Sequence, residues 1–92
     1  MEFEWDSLKA EANYRKHKVR FEEAVEAFFD PYAVEFLYDT HSGHEIRFRL
    51  LEVSSRRLLL VGYTVRGEDV FRVITARKAT AYEMRYYNES KK

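Results

Sequence analysis

The sequence predicts an α+β domain with two N-terminal helices, a four-stranded antiparallel meander and a C-terminal helix. Three observations support this fold class. Apolar residues recur at helical spacing before Pro31, they alternate with polar residues after it, and a helix-capping pattern begins at Thr80. A chain of 92 residues has room for one compact core, so we expect a single domain spanning residues 1–92.

The two N-terminal helices are indicated by their ends as well as by their spacing. Asp6 can cap a helix from Ser7 to Lys18, because its carboxylate accepts hydrogen bonds from the free amides of the first turn. A second helix is predicted from Phe21 to Phe29, and Asp30-Pro31 ends it because proline cannot continue a helix. Four polar residues form a stripe along the first helix: Lys9, Asn13, Lys16 and His17.

The second half of the chain predicts strands joined by short turns. Alternating or continuous apolar residues indicate four of them, at Val34–Tyr38, Ile46–Leu50, Leu58–Thr64 and Val70–Ala76. Short turns between successive strands impose antiparallel pairing. Thr80-x-x-Glu83 has the form of a capping box, which places the last helix at Ala81–Glu89.

Composition and charge exclude several classes of protein. A chain without cysteine has no disulfide and no thiolate zinc site, and we expect it in the cytoplasm. No apolar run approaches the roughly 20 residues that span a bilayer, so we expect no membrane segment. A net charge of zero argues against a strong non-specific nucleic-acid binder. The segment Lys9–Arg20, however, holds five basic residues against Glu11 alone and could form a local positive site.

Three segments of the chain carry a recognisable pattern. The first comprises Phe3-Glu4-Trp5-Asp6, Lys9, Asn13, Lys16-His17, Val19 and Phe21-Glu22-Glu23-Ala24; the second is Glu45-x-Arg47; the third runs from Arg72 to Thr80, with Glu83. In order and spacing they resemble the BrnT family of bacterial toxins over nearly the whole chain. The pattern departs at Lys18, where glycine is common, at Arg20, where a small capping residue is expected, and at Thr75, where serine is usual.

The resemblance implies a RelE/ParE-like fold and a ribonuclease toxin. From the residue types present we expect no cofactor. It also implies a BrnA-type antitoxin that neutralises the toxin in a heterotetramer of two toxins and two antitoxins. The antitoxin would bind promoter DNA, so the toxin would reach DNA only indirectly.

The residue types present can perform RNA cleavage without a metal. That reaction needs a base for the 2′-hydroxyl, cations for the charged phosphorane and an acid for the leaving 5′-oxygen. His17 and Glu45 are the candidates for proton transfer, since a histidine imidazole ordinarily titrates near neutral pH. Arg47, Arg72 and Arg77 are natural phosphate clamps, because a guanidinium is always charged and binds phosphate in a forked geometry.

These candidates also have structural interpretations. Glu45 and Arg47 fit an ion pair on a solvated sheet face. Regular alternation places Arg72 and Arg77 on opposite faces of their strand, so they converge only if the strand bulges or ends between them.

The remaining polar candidates lie in the first helix and in a predicted turn. Lys9 and Lys16 are predicted to bind RNA, the alternative being an ordinary solvated helix face. The stretch His41-Ser-Gly-His44 has metal-like spacing but no clustered carboxylates, so we interpret it as a turn and expect no metal site.

Two functions are compatible with these residues. One is a metal-independent endoribonuclease toxin that works by acid–base catalysis. The other is a non-catalytic binding module with a toxin fold, which poisons a protein target or acts as a co-repressor with its antitoxin. The enzyme requires the polar candidates to converge in one cleft, whereas the binding module does not.

Overall fold

A computed structural model describes residues 1–37 and 46–91 of the chain, and this part contains three helices and five strands. In chain order they are β1 (Glu2–Glu4), α1 (Ser7–His17), α2 (Phe21–Ala27), β2 (Val34–Leu37), β3 (Arg47–Val53), β4 (Leu58–Arg66), β5 (Val70–Lys78) and α3 (Ala81–Ser90). The predicted α+β class is confirmed, and each predicted helix and strand is present within a few residues of its expected bounds. No helix in the described ranges is long and apolar enough to cross a membrane.

The sheet differs from the predicted meander by one strand. Its order is β1-β5-β4-β3-β2, and β1 pairs with β5 in parallel while all other pairs are antiparallel. The sheet is therefore five-stranded and mixed, and the prediction of four antiparallel strands is wrong in this respect. Three residues are too few to show alternation in a sequence. What holds β1 is packing: the Phe3 ring lies 5.0 Å from Phe28 and 5.8 Å from Phe71, centroid to centroid.

Alternation along the strands builds a core on each face of the sheet. On the face that α1 and α2 cover, which we call the helix-pair face, Leu59 of β4 shares a buried cluster with Phe21 of α2. On the opposite face, which we call the α3 face, Leu60 shares a second cluster with Tyr87 of α3. Neighbouring residues of one strand point to opposite faces, so the register assigns every strand residue to one core or the other.

The ends of α1 and α2 reflect two of the three departures from the family pattern, those at Lys18 and Arg20. Asp6 caps α1 as predicted, accepting a hydrogen bond of 2.8 Å from the amide of Leu8. The helix ends one residue early, because Lys18 adopts a left-handed conformation (φ 60°) that glycine would adopt without steric cost. Arg20 at the start of α2 makes no capping hydrogen bond through its side chain. Its guanidinium instead lies 4.2 Å from the centre of the Tyr14 ring.

One carboxylic acid is enclosed by the helix-pair face. Glu52 of β3 is fully buried, and its cross-strand neighbour is the core residue Leu59. Neither carboxyl oxygen has a hydrogen-bond partner in the described part of the chain. Burial, reinforced by the negative charge of Asp30, raises the pKa of Glu52 to about 9. Glu52 therefore carries a proton at neutral pH.

Candidate functional site

The α3 face of the sheet gathers arginines from two strands that do not touch. Arg47 and Arg49 of β3 are paired with Thr64 and Gly62 of β4, and cross-strand partners lie on the same face. On the other side of β4, Arg72 is the partner of Thr64. Two of the residues predicted as phosphate clamps, Arg47 and Arg72, thus lie on one face of the sheet together with Arg49.

A β-bulge is the reason that Arg77 joins this set. Val73 pairs with Tyr63 and Thr75 pairs with Gly62, so Ile74 is an extra residue in β5 with no residue opposite it. Arg72 and Arg77 are five positions apart, a spacing that places residues on opposite faces of a regular strand. The extra residue in the bulge instead places the two side chains on the same face of the sheet. Both arginines therefore lie on the α3 face. A bulge between them is one of the two conditions under which the sequence predicts that they converge.

Two adjoining hollows on this face form what we call the cationic cleft. The first, of about 180 Å³, is lined by His17, Arg49, Leu60, Gly62, Thr75 and Arg77. The second, of about 190 Å³, shares Arg49, Gly62 and Thr75 with it and is also lined by Arg47, Phe48, Tyr63 and Ile74. A side chain at Gly62 would fill the junction, since a Cβ there would lie 2.6 Å from Cγ2 of Thr75. Gly62 therefore keeps the cleft open.

His17 comes from α1, which lies on the other face of the sheet but reaches the edge of β5. Asn13, one helical turn before His17, is hydrogen-bonded to the backbone of Ala76 at that edge. This anchorage places the half-buried His17 beside Thr75 and Arg77 in the cleft. Lys9 and Lys16 are exposed on the same helix and do not line the cleft.

Arg77 and Arg72 each bind a carboxylate of the described residues. Arg77 donates to both carboxylate oxygens of Glu83, at 2.9 Å each, and this contact lowers the pKa of the Glu83 carboxyl. Glu83 also closes the predicted capping box with Thr80, so Arg77 fixes the start of α3. Arg72 lies 2.8 Å from Glu4 of β1 and is not among the residues that line either hollow.

The structure thus brings together some of the predicted site residues and separates others. His17 and Arg77 share the first hollow, Arg47 lines the second, and Arg72 lies on the same face but outside both. Glu45 and the stretch from His41 to His44 lie outside the described residues. Within residues 1–37 and 46–91, no group of three or more His, Cys, Asp or Glu residues could hold a metal ion.

Three residues line both hollows of the cleft, and none of them was among the predicted site residues. Arg49 follows Arg47 by two residues in one strand, so the sequence alone predicts that the two arginines lie on the same face. Gly62 and Thr75 gave no such signal, because their role depends on the close approach of β4 and β5 at the bulge.

The chain is similar to known proteins in both sequence and fold. A profile for the family described as "Ribonuclease toxin, BrnT, of type II toxin-antitoxin system" matches residues 5–83. Among solved structures, the chain is similar to the ribonuclease toxin BrnT of Brucella abortus, with a TM-score of 0.59 and 21% identity over 87% of this chain and 97% of that chain. At this identity the likeness shows the fold alone. Comparison with curated proteins gave no significant match. The family profile covers most of the sequence, and the chain therefore belongs to the BrnT family of type II toxin–antitoxin ribonuclease toxins.

Proposed function

We propose that this chain is an endoribonuclease that cleaves RNA without a metal ion and that the cationic cleft binds the scissile phosphate. One observation carries the proposal: His17 from α1, Arg49 from β3 and Arg77 from β5 line a single cleft. These residues are far apart in the sequence. An imidazole beside guanidinium groups supplies proton transfer and positive charge in one place, which is what phosphodiester cleavage requires.

The reaction consistent with these groups is internal attack by the RNA itself. The 2′-oxygen bonds to the neighbouring phosphorus and the bond from phosphorus to the 5′-oxygen breaks, which leaves a 2′,3′-cyclic phosphate and a 5′-hydroxyl. A base takes the proton of the 2′-hydroxyl and an acid protonates the 5′-oxygen. His17 suits either transfer, and Glu45 is the second candidate. Arg47, Arg49 and Arg77 would stabilise the phosphorane, where loss of one such donor typically costs about 3–4 kcal/mol.

The decisive experiment measures cleavage of an RNA oligonucleotide by the purified protein with and without EDTA. His17→Ala and Arg49→Gln should each lower kcat by roughly 100- to 1000-fold. Two exposed arginines supply matched controls: Arg15→Gln lies in the same helix as His17, and Arg56→Gln lies in the turn after β3. Both controls should keep the wild-type rate, and EDTA should leave cleavage unchanged.

The product ends test the mechanism independently of the variants. Cleavage products with a 2′,3′-cyclic phosphate support attack by the 2′-hydroxyl, whereas 3′-hydroxyl ends contradict it. Activity that disappears with EDTA and returns with Mg²⁺ or Mn²⁺ would overturn the metal-independent mechanism, because two-metal nucleases depend on such ions.

We also propose that a BrnA-type antitoxin neutralises this toxin in the cytoplasm as a heterotetramer of two copies each. Membership of a type II toxin–antitoxin family supports this partner. Light scattering of the co-expressed pair should give a 2:2 complex, and promoter DNA should bind that complex but not the toxin alone. A 1:1 complex would contradict the proposed stoichiometry.

One observation favours the alternative of a non-catalytic binding module. Both terminal nitrogens of Arg77 are occupied by Glu83, as expected of an arginine that serves only to hold α3. Under this alternative, expression of the double variant His17→Ala, Arg49→Gln would still arrest growth. Loss of growth arrest, with the variant soluble and folded, favours the enzyme.

A further inference from the structure

Asn13 occupies an unusual place at the edge of the sheet. It is 8% exposed and lies in the middle of α1. Strand β1 pairs with β5 only from Val70 to Arg72, so further along the strand the outer edge of β5 has no strand neighbour in the described part of the chain. The Asn13 side chain meets the strand there, at Ala76.

The hydrogen bonds of this side chain reproduce those of a neighbouring strand. Nδ2 donates to the carbonyl oxygen of Ala76 at 2.8 Å, and Oδ1 accepts from the amide of the same residue at 3.1 Å. Two antiparallel strands exchange the same pair of bonds through their backbones. The Thr75 hydroxyl adds a third bond to Oδ1 at 3.3 Å, and Nδ2 makes a fourth to the Val19 carbonyl at 3.0 Å.

The four bonds use the full capacity of a primary amide, which has two donor hydrogens and two acceptor lone pairs. They also join three separate parts of the fold: α1, the connection to α2 through Val19, and β5 through Thr75 and Ala76. Val19 is completely buried and follows Lys18, the residue that ends α1 in a left-handed conformation. One side chain thus determines how the last turn of α1 meets β5.

We infer that Asn13 is a positioning residue for the cationic cleft, acting through His17; the inference rests on the proposed ribonuclease function. His17 follows Asn13 by one helical turn on the same side of α1. Thr75 and Arg77, which line the cleft with His17, flank the residue that Asn13 binds. The distance between the imidazole and these strand residues is therefore set through the amide.

No other side chain can make this set of contacts. Aspartate keeps the acceptors but presents a carboxylate to the two carbonyl oxygens that now lie 2.8 and 3.0 Å away. Glutamine adds a methylene group at a buried position and would push α1 away from the strand. Serine is too short to reach both groups of Ala76.

The test compares Asn13→Asp and Asn13→Ser with a control that weakens the fold elsewhere. Ser54→Ala is that control, because Ser54 is also buried and is hydrogen-bonded to Glu23 and to the Arg57 carbonyl, outside the cleft. Asn13→Asp should lower kcat on the order of 100-fold, since a displacement of about 1 Å has that effect on an aligned site. KM should change little. Ser54→Ala should lower the melting temperature and leave kcat unchanged.

A double-mutant cycle separates positioning from general destabilisation. In a His17→Ala background, Asn13→Asp should lower kcat no further, because the residue through which it acts is already absent. Losses that multiply in the double variant would overturn the inference. Should Asn13→Asp fail to fold, the same cycle is run with Asn13→Ser, which carries no charge.

Histidine NMR tests the positioning even if the protein proves not to cleave RNA. The chain has three histidines, so the ring signals of His17 are assigned by their absence in His17→Ala. Asn13→Ser should shift or broaden the His17 signals and leave those of the other two histidines in place, whereas Ser54→Ala should move none of them. Unchanged His17 signals in folded Asn13→Ser would refute the positioning role. Failure of the wild-type protein to cleave RNA would refute only the proposed function.

Discussion

Replacement of Glu52 by glutamine should make the protein more stable at neutral pH. The wild-type carboxyl is fully buried without a hydrogen-bond partner in the described residues, and its pKa of about 9 is far above its ordinary value of 4.5. Between these two values the unfolded chain ionises while the folded chain keeps its proton. Folding therefore requires uptake of a proton from solution, and the free energy of unfolding falls as the pH rises.

The size of the effect follows from the pKa difference. Each pH unit above 4.5 costs about 1.4 kcal/mol, so at pH 7 the wild-type protein loses about 3 kcal/mol relative to acid conditions. Glutamine has nearly the same shape and no charge to lose. Glu52→Gln should therefore match the wild type below about pH 4.5, where Glu52 is neutral in both the folded and the unfolded chain, and exceed its stability by about 3 kcal/mol at pH 7.

Urea unfolding at several pH values between about 5 and 9 measures this difference directly. The single tryptophan, Trp5, packs against Phe21 of α2 and provides a fluorescence signal for unfolding. Subtracting the two stability curves cancels every other titrating group. Exposed Glu68→Gln is the matched control and should leave the wild-type curve within about 0.5 kcal/mol. Parallel curves for the wild type and Glu52→Gln would show that Glu52 is ionised in the fold and would refute the reasoning.

Three further predictions concern packing, α3 and acid stability. Gly62→Ala should lower the free energy of unfolding in urea by about 1–3 kcal/mol, because its Cβ would lie 2.6 Å from Cγ2 of Thr75. Adding Thr75→Ser should restore most of the loss, and no recovery would contradict this cause. Arg77→Lys should lower the unfolding free energy by about 1 kcal/mol, since lysine cannot make both contacts to Glu83, and an unchanged melting curve would disprove it. Arg57 lowers the pKa of Glu23, and Arg77 lowers that of Glu83. The two ion pairs therefore stabilise the folded protein above the ordinary carboxyl pKa of 4.5, and this stability should be lost as the pH falls through the lowered values. A Glu23→Gln variant with unaltered acid unfolding would argue against this.

The parts of the fold that depend on local chemistry could be predicted from the sequence. The Asp6 cap, the Thr80–Glu83 capping box and the strand alternation are each determined by residues within a few positions of one another. Strand β1 could not be predicted in this way. Its three residues pair with Val70–Arg72, nearly seventy positions later, and no periodicity marks them.

For the candidate site, the sequence showed which types of residue are present but not how the fold arranges them in space. Arginines and a histidine suited to phosphate chemistry were visible in the sequence, and the need for a bulge or a strand end between Arg72 and Arg77 followed from their odd spacing. The position of that bulge depends on how β4 and β5 pair. Asn13 looked like part of a solvated helix stripe, because nothing local shows that the edge of β5 is open beside it.

The bulge at Ile74 also determines which changes of chain length β5 can accept. Without Ile74, Val73 would be joined directly to Thr75, and each could keep its present partner on β4, so the ladder would become regular without a change of register. Arg72 and Arg77 would then be four positions apart and would still share a face. One more residue, with the bulge unchanged, would instead send the two guanidinium groups to opposite sides of the sheet. At this position the strand can lose a residue but cannot gain one.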